Sequence, residues 1–261
     1  MIQAMDIAKM FDLSGRVAVV TGAGDGIGRG VSEILAAAGA SVVVSDISLE
    51  KARSVAESIT DGGGEASAVS CDVSEETDLS GLIDFAVGSY GTVNILVNNA
   101  GIGGGGRENP FSIDRAYVER IYAINVLAPW ELCRLAAPHM EKSGYGSIIN
   151  ITSMSSINKD PDMAIYASSK AALNHMASNL AYDYGKMGIR INNVGPGATR
   201  TKALASVLTS EIEKRMLAHT PIGRLGEISD IAGAVLYFAS PISSWVSGQT
   251  LMVNGGGVQT L

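Results

Sequence analysis

The chain has 261 residues, 46% of them hydrophobic, and a formal net charge of −7. That length can bury a substantial core in one large α/β domain or two small ones, and the negative charge argues against nucleic acid as the main partner, because phosphate binding needs a basic surface. No stretch reaches the roughly 18 apolar residues of a membrane span, so no membrane role is expected. The opening MIQAMDIAKMFDLSG breaks its apolar residues with Asp6, Lys9 and Asp12 and lacks the continuous apolar stretch of a secretory signal. Cys71 and Cys133 form neither a paired framework nor a ligand cluster, and His139, His175 and His219 are scattered. No metal is expected, and the cytoplasm is the expected setting.

In chain order, a strand is predicted over Val17–Thr21, a helix over Gly28–Ala38, a strand over Ser41–Ser45 and a helix over Leu49–Thr60. The alternation continues with a strand at Ser67–Cys71, a helix at Glu75–Tyr90, a strand at Ile95–Asn98 and helical pattern over Arg115–Lys142. Strand Ser147–Ile151, helix Tyr166–Met187, strand Arg190–Val194, helix Ser229–Ala239 and strand Thr250–Val253 complete it. Strands alternating with helices of this size imply βαβ crossovers. Val42, Val43 and Val44 are apolar without alternation, as in strands covered on both faces. No linker or compositional break divides the chain. The expectation is α/β: a single doubly wound Rossmann-type domain over residues 1–261, with a mostly parallel sheet of roughly seven strands.

The first predicted strand runs into TGAGDGIG, Thr21 to Gly28, and then a helix. A helix N-terminus exposes unpaired N–H groups and the positive end of its dipole, which suits a pyrophosphate. Gly22, Gly26 and Gly28 permit a tight turn and close backbone approach. Their spacing, Gly-x-x-x-Gly-x-Gly, differs from the general Gly-x-Gly-x-x-Gly fingerprint, and the pattern gains weight from Asp46 at the end of the second strand. An aspartate there is placed to accept hydrogen bonds from adenosine ribose hydroxyls. A 2′-phosphate would meet like charge, a repulsion on the order of 4 kcal/mol per charge pair at about 4 Å and an effective dielectric near 20. Asp25, inside the turn, adds no basic group to offset it. NAD is therefore the expected cofactor.

YASSK places Tyr166 and Lys170 four residues apart, on one face of a helix. A nearby ammonium favours the phenolate, making Tyr166 a usable proton donor and acceptor. NITSMSS delivers Ser153 to the carboxyl edge of the sheet, where NNAG (Asn98–Gly101) and NVGPGATRT (Asn193–Thr201) also end. Ligands bind at that edge in such folds.

Together these segments, with CDV at 71–73 and Asn125 in YAIN, resemble the short-chain dehydrogenase/reductase family over nearly the whole chain beyond the first dozen residues. The resemblance implies that Tyr166 is the acid/base. Lys170 lowers its pKa and binds the nicotinamide ribose, Ser153 orients the substrate oxygen, and Asn125 holds a water linking Lys170 to solvent. It also implies that Gly22, Asp25, Gly26, Ile27, Gly28, Asp46 and Ile47 bind the cofactor. Asp72 and Val73 flank the adenine, Asn99, Ala100 and Gly101 line the cofactor, and Pro196, Gly197, Thr199 and Thr201 lie toward the nicotinamide. The family is commonly tetrameric. The long helices at Arg115 and Tyr166 and the apolar C-terminal strand suit subunit contacts, so a homotetramer is expected.

After the Pro196-Gly197 turn, Ala203, Leu204, Val207, Leu208, Ile212, Met216 and Leu217 form a broken helical stripe. It fits core packing or a lid, about residues 198–220, over a bulky apolar substrate. The glycine run 103–106 on the facing loop would leave room for a wide ligand, with Arg107 either meeting an anionic group or simply solvated. NITSMSSINKD, YASSKAA, EIEKRMLAHTPIGRLG and SWVSGQTLMVNGGGVQ resemble bacterial 7α-hydroxysteroid dehydrogenases that act on bile acids, which implies a steroid substrate with Ser153, Asn158 and Tyr166 around it. The loop GIGGGGRENPFSID departs from that group and leaves positions 7, 3 and 12 open. A polyol or a 3-oxoacyl substrate is the alternative within the family. A catalytically dead dinucleotide sensor is the alternative outside it, opposed by the intact Asn125, Ser153, Tyr166 and Lys170 set.

Overall fold

The computed structural model describes residues 6–103, 108–159, 161–206 and 208–257. Seven parallel strands, β1 (Val17–Val20), β2 (Ser41–Asp46), β3 (Glu65–Ser70), β4 (Ile95–Asn98), β5 (Gly146–Ile151), β6 (Ile189–Pro196) and β7 (Thr250–Val253), lie in the order β3-β2-β1-β4-β5-β6-β7. The helices are α1 (Ile7–Phe11), α2 (Gly26–Ala37), α3 (Leu49–Asp61), α4 (Glu76–Tyr90), α5 (Arg115–Tyr122), α6 (Ala128–Ser143), α7 (Ala164–Gly185), α8 (Lys202–Ala205), α9 (Ser210–Ala218) and α10 (Ile228–Ala239). The strand order reverses between β1 and β4, which opens a crevice above their carboxyl ends.

Alternate residues of each inner strand feed two cores. Ala18, Val20, Val42, Val44, Ile95 and Val97 pack with α2, α3 and α10 on one face. Val19, Val43, Leu96 and Ile148 pack with α4, α6 and α7 on the other. Covering both faces is what lets these strands be uniformly apolar. Among the described residues, no helix is long and apolar enough to cross a membrane.

The structure departs from the sequence reading in three places. The stretch Arg115–Lys142 is not one helix: α5 and α6 are joined by a π-helical turn, Ala123–Leu127. Its wider winding is invisible to a 3.6-residue pattern. The N-terminal α1, unpredicted, forms where Asp6 accepts the Ala8 N–H at 3.1 Å. β6 also continues through Gly195 and Pro196, which pair with Met252 and Val253; a proline is tolerated at a strand's end.

A buried polar row crosses the sheet just below the crevice. Asn98, Asn150 and Asn193 are register partners on β4, β5 and β6, and Asn193 pairs with Thr250 of β7. Asn98 donates to Asn150 at 2.8 Å, Asn150 to Asn193 at 3.0 Å and Asn193 to Thr250 Oγ1 at 3.0 Å. The amides of Asn150 and Asn193 are satisfied along the row, whereas Asn98 Oδ1 at its end is buried without a partner among the described residues.

Candidate active site

The carboxyl ends of strands β1 to β6 build the site. At β1, Thr21 Oγ1 accepts the N–H groups of Asn99 and Ala100, both at 3.1 Å. Asn99 returns its amide to the carbonyls of Thr21 and Gly22, both at 2.9 Å. This lashes the glycine turn to the end of β4. A Cβ on Gly28 would lie 2.4 Å from both Asn99 Nδ2 and Gly22 O, and Gly22, at φ +59°, is left-handed as well as crowded by Ala100. No side chain fits at these positions.

At the end of β2 the Asp46 carboxylate is fixed by two backbone donors, Gly24 N–H at 3.0 Å and Ser48 N–H at 2.9 Å. Ile47 beside it is exposed. Asp72, beyond β3, accepts the Ser74 hydroxyl at 2.6 Å and its N–H at 2.9 Å, which together hold its carboxyl below the ordinary value. Val73 is half-buried next to it. Asp25 caps α2 by accepting the Gly26 N–H at 2.8 Å. The fold also brings Lys202 Nζ to 3.3 Å from Asp25 Oδ2. Burial pushes the Asp25 carboxyl up, but the Gly26 N–H, Lys202 and Lys51 outweigh it and leave it below the ordinary value.

Ser153 lies two residues beyond β5, its Oγ accepting the Ser155 N–H at 3.1 Å. Tyr166 and Lys170 share one face of α7, with Nζ 5.9 Å from the tyrosine ring centroid. Lys170 is 4% exposed, and its ammonium donates to the Ile151 carbonyl at 2.9 Å. Burial pulls its pKa down to about 8. Gly101 lies so close that a Cβ would stand 3.2 Å from Lys170 Nζ and 3.3 Å from Asn125 Oδ1. The Asn125 side chain, in the π-helical turn, is fully engaged: it accepts the Ile102 N–H and donates to the Ile102 carbonyl and Ser169 Oγ, each at 3.0 Å.

Ser153, Tyr166 and Lys170 open onto a cleft of about 500 Å³, within the range of small-molecule sites, whereas Asn125 is fully buried and does not line it. Of the residues singled out from sequence, Ile27, Asn99, Gly101, Ser153, Tyr166, Lys170, Pro196, Gly197, Thr199 and Thr201 line it. Gly22, Asp25, Gly26, Gly28, Asp46, Ile47, Asp72, Val73 and Ala100 belong to the adjoining strand ends rather than to its walls. Asn158 is not a wall residue either, although its Oδ1 is buried without a hydrogen-bond partner. Arg107, glycines 104 to 106, Val207 and the side chain of Ala203 lie outside the described residues. Among the described residues no group of three His, Cys, Asp or Glu is gathered to hold a metal ion.

A family model described as enoyl-(acyl carrier protein) reductase matches residues 22–257. The 7alpha-hydroxysteroid dehydrogenase of Escherichia coli (strain K12) is 52% identical over 249 residues, 95% of this chain and 96% of that one. That of Clostridium sardiniense is 38% identical over 94% of each chain. The chain belongs to the short-chain dehydrogenase/reductase family. One solved member, 7 alpha-hydroxysteroid dehydrogenase complexed with NADH and 7-oxo glycochenodeoxycholic acid, superposes with TM-score 0.93 at 50% identity, over 99% of this chain and 100% of that one.

The segment read as core packing or a lid carries little burial on its longer helix. No residue of α9 is fully buried, while Leu204 of α8 and Met216 of α9 face the cleft. Wall residues not singled out from sequence include Ile102, Met154, Met163 and His219. Met154 directly follows Ser153 and His219 closes the lid segment, so adjacency to the named motifs was the available signal. Sequence reasoning also missed Glu108, buried at 5% exposure against the start of α7.

Proposed function

We propose that this chain is an NAD(H)-dependent dehydrogenase interconverting a secondary alcohol and a ketone at the 7α position of a bile acid. The observation that carries the reading is the meeting of Ser153, Tyr166 and Lys170 in one cleft walled by Ile102, Met154, Met163, Leu204 and Met216. Its support from outside the chain is the likeness, over nearly all its length, to a relative solved with NADH and a 7-oxo bile acid.

The residues present fit NAD. The cradle at Gly22 and Gly28 admits only backbone, so the turn and the first N–H groups of α2, with Gly26, receive the pyrophosphate. Asp46, both oxygens anchored by N–H groups, is preset to accept ribose hydroxyls and repels a 2′-phosphate. Ile47, Asp72 and Val73 surround the adenine. Asn99, Ala100 and Gly101 run alongside the cofactor, and Ile27, Pro196, Gly197, Thr199 and Thr201 border its nicotinamide end. When bound, the nicotinamide supplies hydride transfer at carbon.

In the oxidative direction Tyr166, as phenolate, takes the alcohol proton. The ammonium of Lys170 favours that phenolate by charge and reaches the nicotinamide ribose through its remaining N–H bonds. Ser153 Oγ donates to the substrate oxygen as its charge develops. Asn158 acts on the substrate from just outside the cleft wall, where its buried Oδ1 has no hydrogen-bond partner among the described residues. The Asn125 side chain, committed to Ile102 and Ser169, ties the end of β4 to α7 beside Lys170. Leu204 and Met216 cover the steroid from the lid, within residues 198–220. The whole chain, 1–261, acts as one catalytic domain. Exposed Leu127, Trp130 and Tyr182 on one flank, with Trp245 and Leu251 near β7, support a homotetramer, and two buried free cysteines suit the cytoplasm.

The test is reduction of NAD or NADP by purified protein given chenodeoxycholate (3α,7α), deoxycholate (3α,12α) or lithocholate (3α). Turnover of chenodeoxycholate alone with NAD is expected. Turnover of all three would move the reaction to position 3, and of deoxycholate alone to position 12. Preference for NADP would overturn the reading of Asp46, and silence across the panel would remove the steroid.

A further inference from the structure

The helix bearing Tyr166 and Lys170 begins without a cap of its own. Met163, the residue before its first turn, makes no side-chain capping bond, although the first N–H groups of any helix need partners. Glu108, from the loop after β4, supplies them. Its Oε2 accepts the Ile165 N–H at 2.7 Å, and the Tyr166 N–H is shared between Oε1 at 3.0 Å and Oε2 at 3.2 Å. Tyr117 of α5 donates its hydroxyl to Oε1 at 3.0 Å. The Glu108 N–H donates in turn to the Asp162 carbonyl at 2.9 Å. These are the second and third N–H groups of α7, the pair that an N-cap side chain ordinarily takes, and a negative charge at that end is favoured by the helix dipole.

Gly103 approaches the same residue from the other side. It has φ +92°, and a Cβ there would lie 3.0 Å from Tyr166 Cδ2. The loop after β4 therefore touches Tyr166 twice, at its ring and at its backbone N–H.

Resting on the reading of Tyr166 as the acid/base, we propose that Glu108 is a positioning residue for catalysis, holding the first turn of α7 so that the Tyr166 hydroxyl meets the reacting oxygen. Among the described residues, Glu108 makes no hydrogen bond to the glycine turn or to Asp46. Loss of the carboxylate lets the turn at Tyr166 relax, and a misplacement near 1 Å is worth on the order of 100-fold in rate.

The experiment compares Glu108→Ala, Glu108→Gln and Tyr166→Phe by steady-state turnover of chenodeoxycholate, NADH fluorescence titration and thermal melting. Glu108→Ala is expected to lower kcat by roughly tenfold to 100-fold per folded molecule, with NADH affinity changed less than about twofold. Glu108→Gln, which keeps one acceptor oxygen, is expected to recover part of the loss. An unchanged kcat, or a loss matching only the unfolded fraction, would overturn the proposal. If Glu108→Ala does not fold, Glu108→Gln and Tyr117→Phe carry the test, and full kcat in both overturns it. The control separates the two readings. Turnover surviving in Tyr166→Phe defeats the acid/base assignment, whereas an inactive Tyr166→Phe beside a fully active Glu108→Ala defeats only the positioning role.

Discussion

The two halves of the cleft are built by different means. The half over β1 and β4 works through backbone: glycines that admit no Cβ, a threonine and an asparagine tying two strand ends together. The half over β6 works through side chains on α8 and α9, helices of 4 and 9 residues with no fully buried residue on the longer one. Two lysines mark the contrast, Lys170 being 4% exposed while the side chain of Lys202 is 82% exposed. The glycine turn is tied to the end of β4 by Thr21 and Asn99. A substrate differs between relatives, and its wall is made from parts that can change without disturbing the core.

The largest expected effect lies at the chemistry. Tyr166→Phe removes the proton acceptor and should lower kcat by about 10²–10⁴ while NADH binding, followed by fluorescence, stays near that of the unaltered chain. Retention of more than about a tenth of the activity would move the acid/base role elsewhere.

Lys170 comes next, and here the buried half should show itself in stability. Its folded pKa is about 8, against an unfolded value near 10.4. Below about pH 8 both states are protonated and the full cost of a buried ammonium, on the order of 3 kcal/mol, is present. Between those values the unfolded chain binds more protons, so stability rises with pH and the cost is relieved. Urea unfolding of the cofactor-free protein should therefore show Lys170→Met to be the more stable at pH 7. The difference should shrink toward pH 10, although the variant is inactive. A difference independent of pH would mean that water in the cleft already solvates the ammonium.

The same contrast explains what the sequence disclosed. Val42 to Val44, the glycine turn and Asp46 are legible because backbone geometry and burial on both faces restrict the residue types allowed. The π-helical turn at Asn125 was not, because it changes winding without changing the apolar pattern. Glu108 was hidden for another reason. It acts 57 residues away on the Ile165 N–H, and a cap supplied from a distant loop leaves no mark beside the helix it caps. The row of Asn98, Asn150 and Asn193 had a signal in the asparagines on three apolar strands, but only the register shows that they meet.

The lid should respond more weakly, and differently. Leu204→Ala or Met216→Ala trims apolar wall from the substrate alone and should raise KM for the bile acid by about tenfold, ~1.4 kcal/mol, with kcat nearly unchanged. A parallel loss of NADH affinity would show that the two halves do not act separately.

The smallest effect is expected where the lid reaches across to the turn. Lys202 and Asp25 form an ion pair at 3.3 Å, but so exposed a pair contributes about 0–1 kcal/mol and is screened by salt. Lys202→Ala should change NADH affinity by less than about fivefold at low ionic strength and by less still at 0.5 M salt. Because Asp25 already accepts the Gly26 N–H, its place in the turn survives without the lysine. A loss well beyond fivefold that persists in high salt would mean the lysine is drawn out of solvent when the cofactor binds. The lid would then belong to both halves of the site, and substrate and cofactor binding would be coupled through it.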